Sequence, residues 1–140
     1  MNSNKWGVRM SWGETLFLKK IIDGKKRFVS NDDVLLVASN KDFIFKTEAD
    51  GSLRLKVKAN STSSTSATFK VEISSNKGYS QNFEQIASFE GGIYNFDIPV
   101  VKNATYTVTI SKIGIGGVLH IDYVHICGLM TDYNYIKEVL

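Results

Sequence analysis

The sequence predicts an all-β chain folded as a sandwich or barrel, and three observations carry that prediction. Apolar residues recur at every second position in several runs, about nine or ten short strand candidates are separated by turn residues, and helical periodicity is confined to the last dozen residues. The strongest case is residues 51–74. Leu53, Leu55, Val57 and Ala59 alternate with Arg54, Lys56 and Lys58, while Ala67, Phe69, Val71 and Ile73 alternate with Thr68, Lys70 and Glu72. Side chains on a strand point to alternate faces, so each run has one buried and one wet side. Burying about eight such side chains, at roughly 1.5–3 kcal/mol for each of the larger ones, accounts for the pattern without a ligand.

In chain order, strands are expected over 15–22, 27–29, 34–38 and 43–47, then over the two alternating runs, and then over 83–89, 93–100, the segment "TYTVTIS" and 118–127. "TYTVTIS" places Tyr106, Val108 and Ile110 on one face and Thr105, Thr107, Thr109 and Ser111 on the other. Here threonine is structural, because β-branched side chains suit a pleated surface. Asp23-Gly24 and Asp50-Gly51 read as tight hairpin turns, Gly91-Gly92 as a reversal, Gly114, Gly116 and Gly117 as a glycine turn, and Ser61 to Ser66 as a flexible loop. Pro99 lacks an amide donor and therefore marks an edge strand or a strand end.

One domain spans residues 1–140: a basic N-terminal docking segment or hairpin over 1–30, the sandwich over 34–127, and a C-terminal tail over 128–140 that can be helical from a Thr131 or Asp132 cap. Of a net charge of +3, the first 30 residues hold seven Lys/Arg against two acids, so the rest is slightly acidic. That basic end suits an acidic partner, although the "GKKR" cluster at Gly24 to Arg27 also fits a solvated turn. Greasy side chains crowd both ends, and Trp6, Trp12, Phe17, Ile136, Val139 and Leu140 are the candidate subunit-docking residues. With a single cysteine, Cys127, no intramolecular disulfide can form, and the side chain is expected to be a small buried hydrophobe. The opening "MNSNKWGVRMSWGETLF" has no apolar run of signal-peptide length, and no stretch is long and apolar enough for a membrane helix. Cytoplasmic synthesis is expected, which leaves the Asn-x-Ser/Thr matches at Asn60 and Asn103 idle.

Catalytic signals are sparse. The densest reactive segment is "HIDYVHIC"; as a regular strand it sends His120 and Asp122 to one face and His125 and Cys127 to the other, so the four do not converge on a metal. A zinc site would need a bulge and ligands from elsewhere. There is no G-x-S-x-G, and "GIGG" lacks both the spacing and the following helix of a phosphate-binding loop. No catalytic residue, metal ligand or cofactor is therefore assigned, and the chain reads as a non-enzyme. Arg54, Lys56, Lys58 and Lys70 form a stripe on the wet side of the two opening strands, but no aromatic residue is placed among them to stack bases. The stripe is expected to be a solvated face, not a nucleic-acid site. Most of the 16 aromatic residues fall on inward positions; Tyr79, in "SNKGYSQN", is the loop exception and the candidate glycan-stacking residue.

Two resemblances add to this reading. From about residue 53 to 127, "YNFDIPVVKNATYTVTISK", the glycine turn and "LHIDYVHI" resemble the last strands of jelly-roll, galactose-binding-like antiparallel sandwiches of carbohydrate-binding modules. That likeness implies a jelly roll and, at Asp122, the position where such relatives hold a structural calcium. The paired acids usual there read as Asp122-Tyr123, and the family's planar trio of aromatics has no counterpart. The opening "MSWGETLFLKKIIDGKKRFVSNDDVLLV" resembles the start of small tail-region and host-attachment proteins of Firmicute prophages. It implies a non-catalytic, oligomeric component of a phage or phage-tail-like particle, docked through its termini to itself and other particle proteins. The alternative is a carbohydrate-binding module that grips a polysaccharide.

Overall fold

In the computed structural model, residues 8–10, 15–18, 28–30, 34–37, 39–48 and 50–129 are described, with side chains over 35–37, 39–48 and 50–126. These residues form eleven strands: β1 (Val8–Met10), β2 (Thr15–Leu18), β3 (Phe28–Ser30), β4 (Val34–Leu36), β5 (Asn40–Thr47), β6 (Gly51–Ser61), β7 (Ala67–Ser75), β8 (Ser80–Ala87), β9 (Gly92–Val100), β10 (Thr105–Ile113) and β11 (Leu119–Leu129). Among the described residues there is no helix.

The strands make the all-β two-layer sandwich that the alternation predicts. One sheet, here sheet A, runs β1-β3-β11-β6-β9, with β4 also paired to β11; sheet B runs β2-β5-β10-β7-β8. The central pairings are antiparallel, whereas β1–β3 and β2–β5 are parallel. Residues 8–10, assigned to the docking segment from sequence, thus pair with β3 as a strand. β9 is an edge strand, as Pro99 requires.

Every inward residue read from the two opening runs and from "TYTVTIS" is buried. Sheet B contributes Phe43, Phe45, Phe69, Val71, Ile73, Tyr106, Val108 and Ile110 to the core, and sheet A contributes Leu53, Leu55, Val57, Phe96, Ile98, Leu119, Ile121, Val124 and Ile126. Phe45 stacks on Tyr106 with centroids 5.0 Å apart, and Phe69 meets Tyr94 and Phe96 edge-on at 5.4 and 6.5 Å. Polar groups in this interior have partners. Tyr106 Oη accepts a bond from Val101 N at 3.0 Å, the Thr47 hydroxyl donates to Val101 O, and Lys112 Nζ donates to Gly114 O at 2.8 Å.

Two expectations about connections are corrected. β5 and β6 lie in opposite sheets, so Asp50-Gly51 is a crossing between layers instead of a tight hairpin; Asp50 Oδ1 accepts from Lys102 N at 2.8 Å. β6 and β7 are also in opposite sheets, which separates Lys70 from Arg54, Lys56 and Lys58. From β5 onward β7–β8 is the one connection that stays within a sheet. The Ser61–Ser66 stretch, expected to be a flexible loop, is a hydrogen-bonded crossing: Ser61 Oγ donates to Thr65 O, and Thr62 N donates to Val118 O at 3.0 Å. It packs under the glycine turn, where Gly117 has φ +73 and a Cβ would lie 2.8 Å from Ser66 O. The tail expected from residue 128 begins later, because Gly128 and Leu129 still pair with β6 as the end of β11; residues 130–140 and the Asp23-Gly24 turn lie outside the described residues.

Candidate functional site

The outer face of sheet A gathers the chain's reactive side chains, and a β-bulge is the reason. β11 pairs with β6 in one register up to Ile121↔Ala59 and in a register shifted by one from Tyr123↔Lys58, leaving Asp122 as the extra residue. Before the bulge Leu119 and Ile121 point inward; after it Val124 and Ile126 do. His120, Tyr123 and His125 consequently share the outer face. This corrects the sequence expectation that the two histidines point to opposite faces: a regular strand separates them, and one inserted residue reunites them. The signal was present in the sequence, since apolar positions 119 and 121 are followed by 124 and 126 and slip phase by one.

The rows across this face follow the register. His120 sits between Leu35 of β4 and Asn60 of β6; Tyr123 faces Lys58, which faces Ile93 of β9; His125 faces Lys56, which faces Asn95. One row further, Arg54 faces Asp97. The rings of Tyr123 and His125 stack with centroids 4.1 Å apart and planes 21° from parallel. Lys58 Nζ lies 5.8 Å from the centre of the Tyr123 ring and 3.3 Å from Asp122 Oδ2. Arg54 grips Asp97 with two bonds, Nε to Oδ1 at 2.8 Å and Nη2 to Oδ2 at 3.2 Å. An aromatic pair therefore does stand among the cations of β6. Sequence reasoning missed it because β11, not β7, lies beside β6.

His120 has a defined chemistry. Asn60 Nδ2 donates to Ser61 O at 2.9 Å, which turns Asn60 Oδ1 toward the imidazole, 2.9 Å from His120 Nδ1. Because Oδ1 only accepts, Nδ1 carries the proton, and in the neutral ring Nε2 is an acceptor. Asp122, the position that the resemblance links to calcium, forms its ion pair with Lys58. Among the described residues no group of three or more His, Cys, Asp or Glu is arranged to hold a metal.

Tyr79 occupies a different place. It follows the β7–β8 turn, its amide bonded to Ser75 Oγ at 3.1 Å, and its half-buried ring leans on Tyr106 at 6.2 Å. Burial, and secondarily the neighbouring Tyr106, raises the Tyr79 phenol above its ordinary value of 10.0. Of the candidate docking residues, Phe17 lies in β2 by its backbone, paired with Lys46. Trp6, Trp12, Ile136, Val139 and Leu140 lie outside the described residues.

No protein-family model matches the sequence, and no curated protein matches it. Solved structures do resemble the fold. The chain is similar to the CBM36-1 domain of a multidomain xylanase from the hindgut metagenome of Trinervitermes trinervoides (TM-score 0.50, 14% identity, 68% of this chain and 77% of that one). It is also similar to a CBM35 from Cellvibrio japonicus (0.49, 13%, 65% and 66%) and to an insecticidal delta-endotoxin from Bacillus thuringiensis (0.48, 10%, 71% and 20%). The matched region thus spans about two thirds of the Cellvibrio module and a fifth of the toxin. At these identities the likeness concerns the jelly-roll fold alone.

Proposed function

We propose that this protein is a non-catalytic carbohydrate-binding module and that its glycan site is the outer face of sheet A. The observation that carries the reading is the stacked Tyr123–His125 pair standing among Lys56, Lys58, Asn95 and the His120–Asn60 pair. A pyranose has an apolar C–H face and a rim of hydroxyls. The first packs against an aromatic wall, and the second needs donors and acceptors at fixed positions. Both kinds of group are here on a sheet, a rigid support, and the mutual stacking of the two rings holds the wall in place before ligand arrives. The jelly-roll fold shared with the xylanase's module agrees with this reading. Membership of a phage or phage-tail-like particle rests on the N-terminal likeness alone, and the fold similarities point toward binding modules.

Titration of the full chain against a panel of soluble polysaccharides, by calorimetry or affinity electrophoresis, tests the proposal. Tyr123→Ala is expected to weaken binding at least about tenfold, equivalent to about 1.4 kcal/mol. Thr109→Ala, on the outer face of sheet B, is expected to leave it unchanged. Equal affinities for wild type and Tyr123→Ala would remove the site.

A further inference from the structure

We infer that the glycan bound on sheet A carries a single anionic group per recognised unit, and that this group sits on Lys56 Nζ beside the Tyr123–His125 wall. The inference rests on the reading of this face as a glycan site and names its ligand class.

Charge pairing on the face leads to it. Three permanent cations, Arg54, Lys56 and Lys58, share the outer surface of β6 with two carboxylates. Arg54 is engaged by Asp97 at 2.8 Å and Lys58 by Asp122 at 3.3 Å. Lys56, between them in the strand, has no ion-pair partner among the described residues. Its row neighbours are His125 on one side and Asn95 on the other, an aromatic ring and a neutral amide. One uncompensated ammonium therefore borders the ring wall. A neutral sugar leaves that charge unused, whereas a sugar bearing one acid group meets stacking and charge together. The same count argues against a single-stranded nucleic acid, which binds by having several successive phosphates neutralised, because two of the three cations are already occupied by the protein's own carboxylates. Next to the anion site, the Asn95 amide shares the row of Lys56 and offers a donor and an acceptor to hydroxyls.

The anion can be a uronate carboxylate or a sulfate ester, and the test separates them. The full chain is run in native gels containing polygalacturonate, alginate, hyaluronate or glucuronoxylan, each beside its methyl-esterified or carboxyl-reduced form. Dextran sulfate beside dextran and an oligo-dT strand complete the set. At least one acidic polymer should retard the protein about tenfold more strongly than its neutral counterpart. Lys56→Met and Lys56→Gln should bring retardation down to the neutral level, while Tyr123→Ala abolishes it for both forms. A difference seen with dextran sulfate alone supports the inference with sulfate as the anion, and a difference seen with the carboxylate polymers supports it with uronate. Equal binding of acidic and neutral forms, or an acidic preference that survives Lys56→Met, overturns the inference while leaving the glycan site standing. Retardation by none of the polysaccharides overturns both. Retardation by oligo-dT alone, relieved by Lys56→Met, replaces them with a nucleic-acid surface.

Discussion

The two outer faces of the sandwich arise from one rule and differ in content. On sheet B the outward positions are Thr105, Thr107, Thr109 and Ser111 of β10 and Thr68, Lys70, Glu72 and Ser74 of β7, flanked by Asp42, Ile44 and Lys46 of β5 and by Asn82, Glu84 and Ile86 of β8, with Lys70 paired to Glu72 at 3.7 Å. Among the residues whose side chains are described, no ring stands on that face. On sheet A the equivalent positions hold three cations, two carboxylates, two amides, His120 and the stacked Tyr123–His125 pair. Hydroxyl-bearing β-branched residues stabilise the pleat itself and need no further explanation. Rings half-exposed among charges do little for a sheet, since a ring contributes most when buried. The difference teaches that alternation identifies a wet face, while the kind of side chain on it separates a solvated surface from a site.

The largest effect would break the comparison by removing both faces together. Phe69 meets Tyr94 and Phe96 in the space between the layers. Phe69→Ala is expected to destabilise the fold by about 3–5 kcal/mol in denaturant titration, through lost burial and the cavity left behind. A smaller effect falls mainly on sheet A. Gly91 has φ +74, and a Cβ there would lie 2.5 Å from Ala59 O and 2.6 Å from Asn60 Cβ, so the clash is with the strand that holds the partner of His120. Gly78 has φ +92 with nothing within 4 Å of the added carbon. Gly78→Ala should then lose only the left-handed backbone penalty, about 1–2 kcal/mol, and Gly91→Ala clearly more. Gly91→Ala should also lower glycan affinity by moving Asn60, whereas Gly78→Ala should not. Equal destabilisation by the two would mean that the approach of the turn to β6 is looser than described. Tyr123→Ala sharpens the comparison from the other side, since a half-exposed ring should change binding far more than stability.

Legibility in the sequence followed the same divide. Inward positions such as Leu55, Val71 and Val108 were readable because period two depends on local geometry alone. Partners were not, because alternation is silent on which strand lies alongside. Lys70 was therefore grouped with Lys56, although β6 and β7 face each other across the core. Placing Tyr123 and His125 beside Lys58 and Lys56 needed the β11–β6 pairing and the bulge at Asp122, both long-range facts. The phase slip between Ile121 and Val124 was the one local trace of that bulge. Tyr79 looked like a platform because its neighbours are polar and glycine-rich, and the lean of its ring onto Tyr106 depends on a strand 27 residues away.

Two tyrosines extend the comparison to its smallest expected effect, since Tyr123 stands on the wet face while Tyr79 leans inward. The folded chain holds the Tyr79 proton above the ordinary value because burial disfavours the phenolate. Below about pH 10 the phenol is protonated in both states and its contribution to stability is fully present. As pH rises from there toward the folded value, the unfolded chain releases the proton first and stability falls, the folded state binding more protons. Tyr79→Phe keeps the ring against Tyr106 and removes the titration. Its denaturation midpoint, followed from pH 8 to 11, should therefore decline less steeply above pH 10 than that of wild type. Identical slopes would mean that the Tyr79 hydroxyl is as well solvated when folded as when unfolded. In that case Tyr79 would again stand as a solvent-facing alternative to Tyr123 for sugar stacking, and Tyr79→Ala in the polysaccharide titration would decide between them.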